Sequence, residues 1–186
     1  MNARRIAEVA ALAVAVAVLS ASPSYSASDG DVAPAPSRAR CTQPANIRVA
    51  PDFERPDLQG RRLRLRDYRG KIVLLSFWAT WCAPCLEELP TLSRWQRERG
   101  EAGLQIVGIS MDDDAGAAAR AVRKFALPYP VAMGDEDLGT LYGGVLGLPL
   151  ALLIDRDGRI VARCQGELDL PAVKARIESL LTSRRP

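Results

Sequence analysis

Cys82 and Cys85, separated by Ala83 and Pro84 and preceded by Trp81, are the residues of this chain best suited to chemistry. Two thiols at that spacing serve either reversible dithiol-disulfide exchange or one half of a zinc site. A closed four-ligand zinc site would have to recruit the two isolated cysteines, Cys41 and Cys164, because the chain contains no histidine. The same absence removes the commonest general base, so chemistry must run on cysteine, carboxylate or backbone groups. Position favours redox exchange. Cys82 stands where an apolar strand gives way to a helix, and the free N–H groups and dipole of a helix N-terminus stabilise a thiolate. That makes Cys82 the expected nucleophile. Cys85, one turn further on the same face, is the expected resolving thiol, able to close a disulfide with Cys82. Glu88 lies one more turn along, where a carboxylate can take or give the proton of Cys85. Its neighbour Glu87 reads as a solvated helix residue.

The elements that must position these residues follow from periodicity. Residues 72–79 form a continuous apolar run with β-branched and aromatic content, as a central strand covered on both faces requires. A helix is expected over 83–99, closed by Gly100 and Gly103, with Pro90 inside it as a kink. Before the site, Arg62-Leu63-Arg64-Leu65-Arg66 alternates strictly, which sets Leu63 and Leu65 inward on a strand of a leading hairpin. After it come a buried-type strand over 104–110, a helix over 115–125 and a short strand over 130–133. A short helix over 136–142, a hairpin over 150–164 and an amphipathic helix over 170–182 complete the order. Asp112, Asp113 and Asp114 read as caps of the helix that follows them, ahead of a cation site. The order predicts an α/β fold with a mixed central sheet flanked by helices and an N-terminal β-hairpin extension.

Composition narrows the partners. The chain has 186 residues, 48% of them apolar and 25% charged, and a formal net charge of +3. One domain with a real core is expected, and no field strong enough to hold nucleic acid. Residues 1–27 combine Arg4 and Arg5, an Ala/Val/Leu run and small residues at Ser24, Ser26 and Ala27, the layout of a signal peptide. The apolar run is about half of what a spanning helix needs, so cleavage is favoured, with an uncleaved anchor as the alternative. Residues 28–46, rich in Ala, Pro and Ser, read as a flexible lead-in to a domain over 47–186. Export places the cysteines in an oxidising compartment. There Cys41 and Cys164, which otherwise read as spare thiols or small hydrophobes, become candidates for a structural disulfide.

Over about residues 50–181 the sequence resembles the TlpA/ResA-like branch of the thioredoxin-fold proteins. The residues that carry the likeness include Pro51-Asp52-Phe53, Asp57-Leu58-Gln59-Gly60 and Arg69-Gly70-Lys71-Ile72-Val73-Leu74. They continue as Phe77-Trp78-Ala79-Thr80-Trp81-Cys82-Ala83-Pro84-Cys85, Glu88-Leu89-Pro90, Gly147-Leu148-Pro149 and Leu153-Ile154-Asp155-Arg156-Asp157-Gly158. The resemblance implies a thioredoxin-like fold and an exported, mostly reducing thiol-disulfide oxidoreductase; a periplasmic or other extracytoplasmic place is expected, and neither cofactor nor metal. It implies catalytic roles for Cys82, Cys85 and Glu88, and a cis-proline at Pro149. Trp81, Ala83, Pro84 and Leu148 are expected to face the substrate. Leu150 follows the proline where the family commonly has small polar residues, which predicts a more apolar substrate surface. Ser76 stands where cytosolic thioredoxins carry a buried Asp, leaving the proton work to Glu88. The Ala83-Pro84 pair resembles the Gly-Pro of reducing thioredoxins and lacks the histidine of strong oxidants.

The expected partners are disulfide-bearing exported proteins, with cytochrome c apoproteins or copper-centre assembly proteins as family-typical clients. The expected electron donor is a membrane thiol reductase of DsbD/CcdA type. Two other readings stand beside this one. A copper-delivery module would bind Cu(I) through the same thiolates, although such thioredoxin-fold chaperones usually add a histidine. A peroxidase would need a peroxidatic cysteine with Thr and Arg nearby, and the local spacing here differs.

Overall fold

The computed structural model describes residues 40–43 and 49–183. The expected signal peptide over 1–27 and most of the expected lead-in over 28–46 lie outside the described residues. Among the described residues no helix is long and apolar enough to cross a membrane.

A six-stranded sheet forms the centre, in the order β1-β8-β7-β4-β5-β6. The strands are β1 (Arg40–Thr42), β4 (Ile72–Trp78), β5 (Leu104–Ser110), β6 (Val131–Met133), β7 (Leu150–Ile154) and β8 (Ile160–Gln165). β4, β5 and β6 run parallel, while β7 is antiparallel to β4, β8 to β7 and β1 to β8. Every residue of β4 and of β5 is buried, the signature of central strands covered on both faces. Alternation then divides the core in two. Ile72, Leu74 and Trp78 of β4 meet Leu89, Leu92 and Trp95 of α1 (Ala83–Arg99) and Val173 and Ile177 of α4 (Leu170–Thr182) on one face. Val73, Leu75 and Phe77 meet Phe53, Leu63 and Leu65, with Leu138 of α3 (Glu136–Leu141) and Tyr142, on the other. The remaining helix, α2 (Ala115–Lys124), crosses between β5 and β6.

The leading hairpin pairs β2 (Glu54–Pro56) with β3 (Arg62–Arg64) as a separate two-stranded sheet. Its strict alternation was expected to continue to Arg66, but the strand ends at Arg64 and a 3-10 helix runs over Leu65–Tyr68. Asp52 causes the turn, accepting from the Arg66 backbone at 2.9 Å and from its guanidinium at 2.8 Å. Leu63 and Leu65 stay buried through the change, as the alternation requires. α1 runs through Pro90 as one continuous helix.

A second difference lies in the lead-in, to which the sequence assigned no element. Arg40–Thr42 pairs with β8 in the register Arg40 to Gln165, Cys41 to Cys164 and Thr42 to Arg163. Three residues without a period leave no local signal; the partner that defines this strand lies 123 positions away.

Candidate functional site

The buried strand β4 ends at Trp78, and the chain turns through Ala79, Thr80 and Trp81 into α1. Cys82 is the N-cap of that helix, with extended backbone angles, and its Sγ accepts from the Cys85 N–H at 3.3 Å. A sulfur thus occupies the place usually taken by a Ser or Asp oxygen. Pro84 falls in the first turn, where a missing N–H costs nothing. Cys82 and Cys85 are joined by a disulfide with Sγ atoms 2.04 Å apart. Both sulfur-bearing residues are buried, Cys85 the more deeply. Around them Trp81 and Ala83 are exposed, and Pro84 and Leu148 are half-buried.

Glu88 is 4% exposed on the same helix. Its Oε1 accepts from the Leu168 N–H at 2.8 Å. Burial pushes its carboxyl up to about 7, the Leu168 N–H opposes that shift, and the charges of Glu167 and Glu87 add to it. The loop that supplies Leu168 also reaches Pro149, whose carbonyl accepts from the Gly166 N–H at 2.9 Å. Pro149 follows a cis peptide bond from Leu148. One short segment after β8 thus hydrogen-bonds both Glu88 and the proline loop. Gly166 and Leu168 act through backbone groups, which is why no residue type announced them.

Leu150 departs from expectation. It is the first residue of β7, fully buried and paired with Phe77 and Gln165, so it contributes to the core and not to the substrate surface. The exposed leucine of this loop is Leu146, at 88%. The three aspartates also divide. Asp114 caps α2, accepting from Gly116 and Ala117, and Asp113 is exposed. Asp112 is no cap: it is buried and accepts from Thr80 and Ser110, because Ser110 ends β5 beside the Trp78 end of β4.

The other two cysteines form a second disulfide, Cys41 to Cys164. All four sulfurs are thus in two bridges, and the zinc arrangement that would need them together is not the one present. Among the described residues no group of three or more Cys, Asp or Glu side chains is placed to hold a metal ion.

Residues 48–163 match the AhpC/TSA family model. The ResA thiol-disulfide oxidoreductase of Bacillus anthracis is 38% identical over 120 residues, 63% of this chain and 68% of that protein. The ResA of Geobacillus thermodenitrificans is 34% identical over 132 residues, 71% of this chain and 76% of that protein. Among solved structures, a thiol:disulfide interchange protein DsbE from Chlorobium tepidum superposes with a TM-score of 0.68 at 32% identity, covering 73% of this chain and 96% of that one. These relatives are named for disulfide chemistry. The chain belongs to the AhpC/TSA family, has the thioredoxin-type fold, and is a thiol-disulfide oxidoreductase.

Proposed function

We propose that the protein reduces disulfides in exported partner proteins, with Cys82 as nucleophile, Cys85 as resolving thiol and Glu88 as the group that handles the Cys85 proton. The observation that carries this reading is a disulfide capping α1 with a buried, near-neutral carboxyl one turn beyond it. In the reduced protein the Cys82 thiolate attacks one sulfur of the partner disulfide. The other partner sulfur leaves and takes a proton from water. In the mixed disulfide, Cys85 passes its proton to the Glu88 carboxylate and attacks the Cys82 sulfur. The second partner sulfur leaves as a thiolate and takes up the proton that Glu88 received, two electrons have moved to the partner, and the protein holds the Cys82–Cys85 disulfide. A thiol donor must then return two electrons, a task suited to a membrane reductase of DsbD/CcdA type.

Trp81, Ala83, Pro84 and Leu148 form the partner-facing surface, and Pro149 brings the loop that lies beside the partner backbone. The Arg4-Arg5 and apolar run at the N-terminus support export to the periplasm, where cytochrome c apoproteins and copper-centre assembly proteins are the proposed clients. Absence of a histidine between the two cysteines supports the reducing direction.

Trapping tests the mechanism. With Cys85→Ser, mixed disulfides should accumulate on Cys82 and identify the client by mass, and none should form with Cys82→Ser. Equal trapping by both variants, or by neither, would refute the assignment.

A further inference from the structure

Asp112 is a buried carboxylate that the exchange steps above leave without a task. It is 6% exposed, and among the described residues it has no Arg or Lys partner. Its side chain only accepts. Oδ1 takes the Thr80 hydroxyl at 2.6 Å and the Thr80 N–H at 3.0 Å, and Oδ2 takes the Ser110 hydroxyl at 2.8 Å. Three donors thus converge on one carboxyl. The backbone beside it is tied to the same turn, since the Met111 N–H donates to the Trp78 carbonyl at 2.8 Å. Thr80 is two residues before Cys82, and the Cys82 N–H donates back to Ala79 at 3.2 Å. Asp112 thus holds the few residues whose shape sends Trp81 outward and leaves Cys82 at the helix cap.

We propose that Asp112 is a positioning residue for the dithiol: it fixes the Thr80-Trp81-Cys82 turn and keeps a negative charge behind the nucleophile, making the pair a stronger reductant. The proposal rests on the dithiol reading above. A helix N-terminus stabilises the Cys82 thiolate, which favours the reduced protein and makes its disulfide a better oxidant. A buried carboxylate close by opposes that stabilisation and returns the balance toward the disulfide. The other acidic groups on this side are Glu88 on α1, and Glu87 and Glu167, which are exposed and whose charges act on Glu88. Of these, Asp112 alone is bonded to the segment that enters Cys82.

The measurement is equilibration of the full chain with glutathione, in which two glutathione thiols reduce the Cys82–Cys85 disulfide and leave one glutathione disulfide. Asp112→Asn keeps the shape and an acceptor for Thr80 while removing the charge. Half-reduction should then occur at a ratio of squared glutathione to its disulfide about three- to tenfold lower than for the parent. The Cys82 thiol of the reduced variant should react with iodoacetamide at pH 6 faster by a similar factor. Asp112→Glu should return both readings to within about twofold of the parent. A folded Asp112→Asn variant with unchanged values, or one shifted toward the disulfide, overturns the proposal. Should that variant fail to fold, Thr80→Val removes the hydroxyl donor and leaves the charge less neutralised, so half-reduction should need a higher ratio. An unchanged or lower ratio overturns the proposal equally. Failure of the dithiol reading is separate, because Cys82→Ser would then keep its activity whatever Asp112 does.

Discussion

Glu88, to which we assign the Cys85 proton, differs from a surface glutamate in its surroundings. A glutamate on an exposed helix face is ionised at neutral pH, whereas burial here pushes its carboxyl up to about 7. Below that pH it carries a proton; above it, it can accept one from Cys85. The resolving step should therefore accelerate as pH rises through about 7. Glu88→Gln should abolish that inflection and slow the step at pH 8 by at least about tenfold. Stopped-flow kinetics of mixed-disulfide release across pH 5.5 to 8.5 reads both effects, and an unchanged profile would remove Glu88 from the mechanism. Spacing within α1 was enough to put Glu88 on the cysteine side. The Leu168 N–H that meets it, and the Gly166 N–H on Pro149, were not legible, because a backbone donor carries no mark of residue type. Asp112 was misread for a related reason: consecutive aspartates before a helix suggest caps, and only Asp114 has the backbone geometry to act as one.

At the scale of elements, β1 depends on a covalent partner. It is three residues long, its Cys41 and Thr42 are exposed, and it covers the edge of β8 through a cross-strand disulfide. With a separation of 123 positions, the chain-entropy model gives about 5 kcal/mol as the upper range of what such a bridge contributes. Cys41→Ser should lower unfolding stability by about 2–4 kcal/mol in urea titration while leaving the exchange rate at Cys82 within about twofold. Non-reducing peptide mapping should recover Cys41 joined to Cys164; a free Cys41 thiol in the purified, air-oxidised protein would overturn the pairing. The central strands and long helices were legible because burial on two faces or one writes a period of its own. The Arg62 to Arg66 run misled only in its last two residues, where a tertiary contact to Asp52 ended a locally perfect alternation.

Over the whole molecule, the sheet separates two cores, and the dithiol lies at the edge of the one that α1 and α4 cover. That setting links chemistry to stability. Because the folded chain binds the Glu88 proton more tightly than the unfolded chain, this group stabilises the fold fully below pH 4.5, and the contribution fades as pH rises through about 7. Its size across that window is about 3 kcal/mol. The stability difference between the parent and Glu88→Gln, measured by denaturant unfolding, should therefore shift against the parent from pH 5 to pH 8; a flat difference would show that Glu88 is not buried as described. The sequence by itself determined the order of the elements from the leading hairpin onward except for the short 3-10 helix, the placement of Cys82 at a helix start, the position of Cys85 and Glu88 on one face, and the reaction class. These depend on local period and spacing, which a chain displays wherever it folds. Only the tertiary structure decided that Asp112 turns inward, that Leu150 is core while Leu146 is exposed, and that Glu88 meets Leu168. Each of those facts depends on segments far apart in the chain meeting across the sheet, and burial, which sets the charge state of Glu88, exists only after they meet.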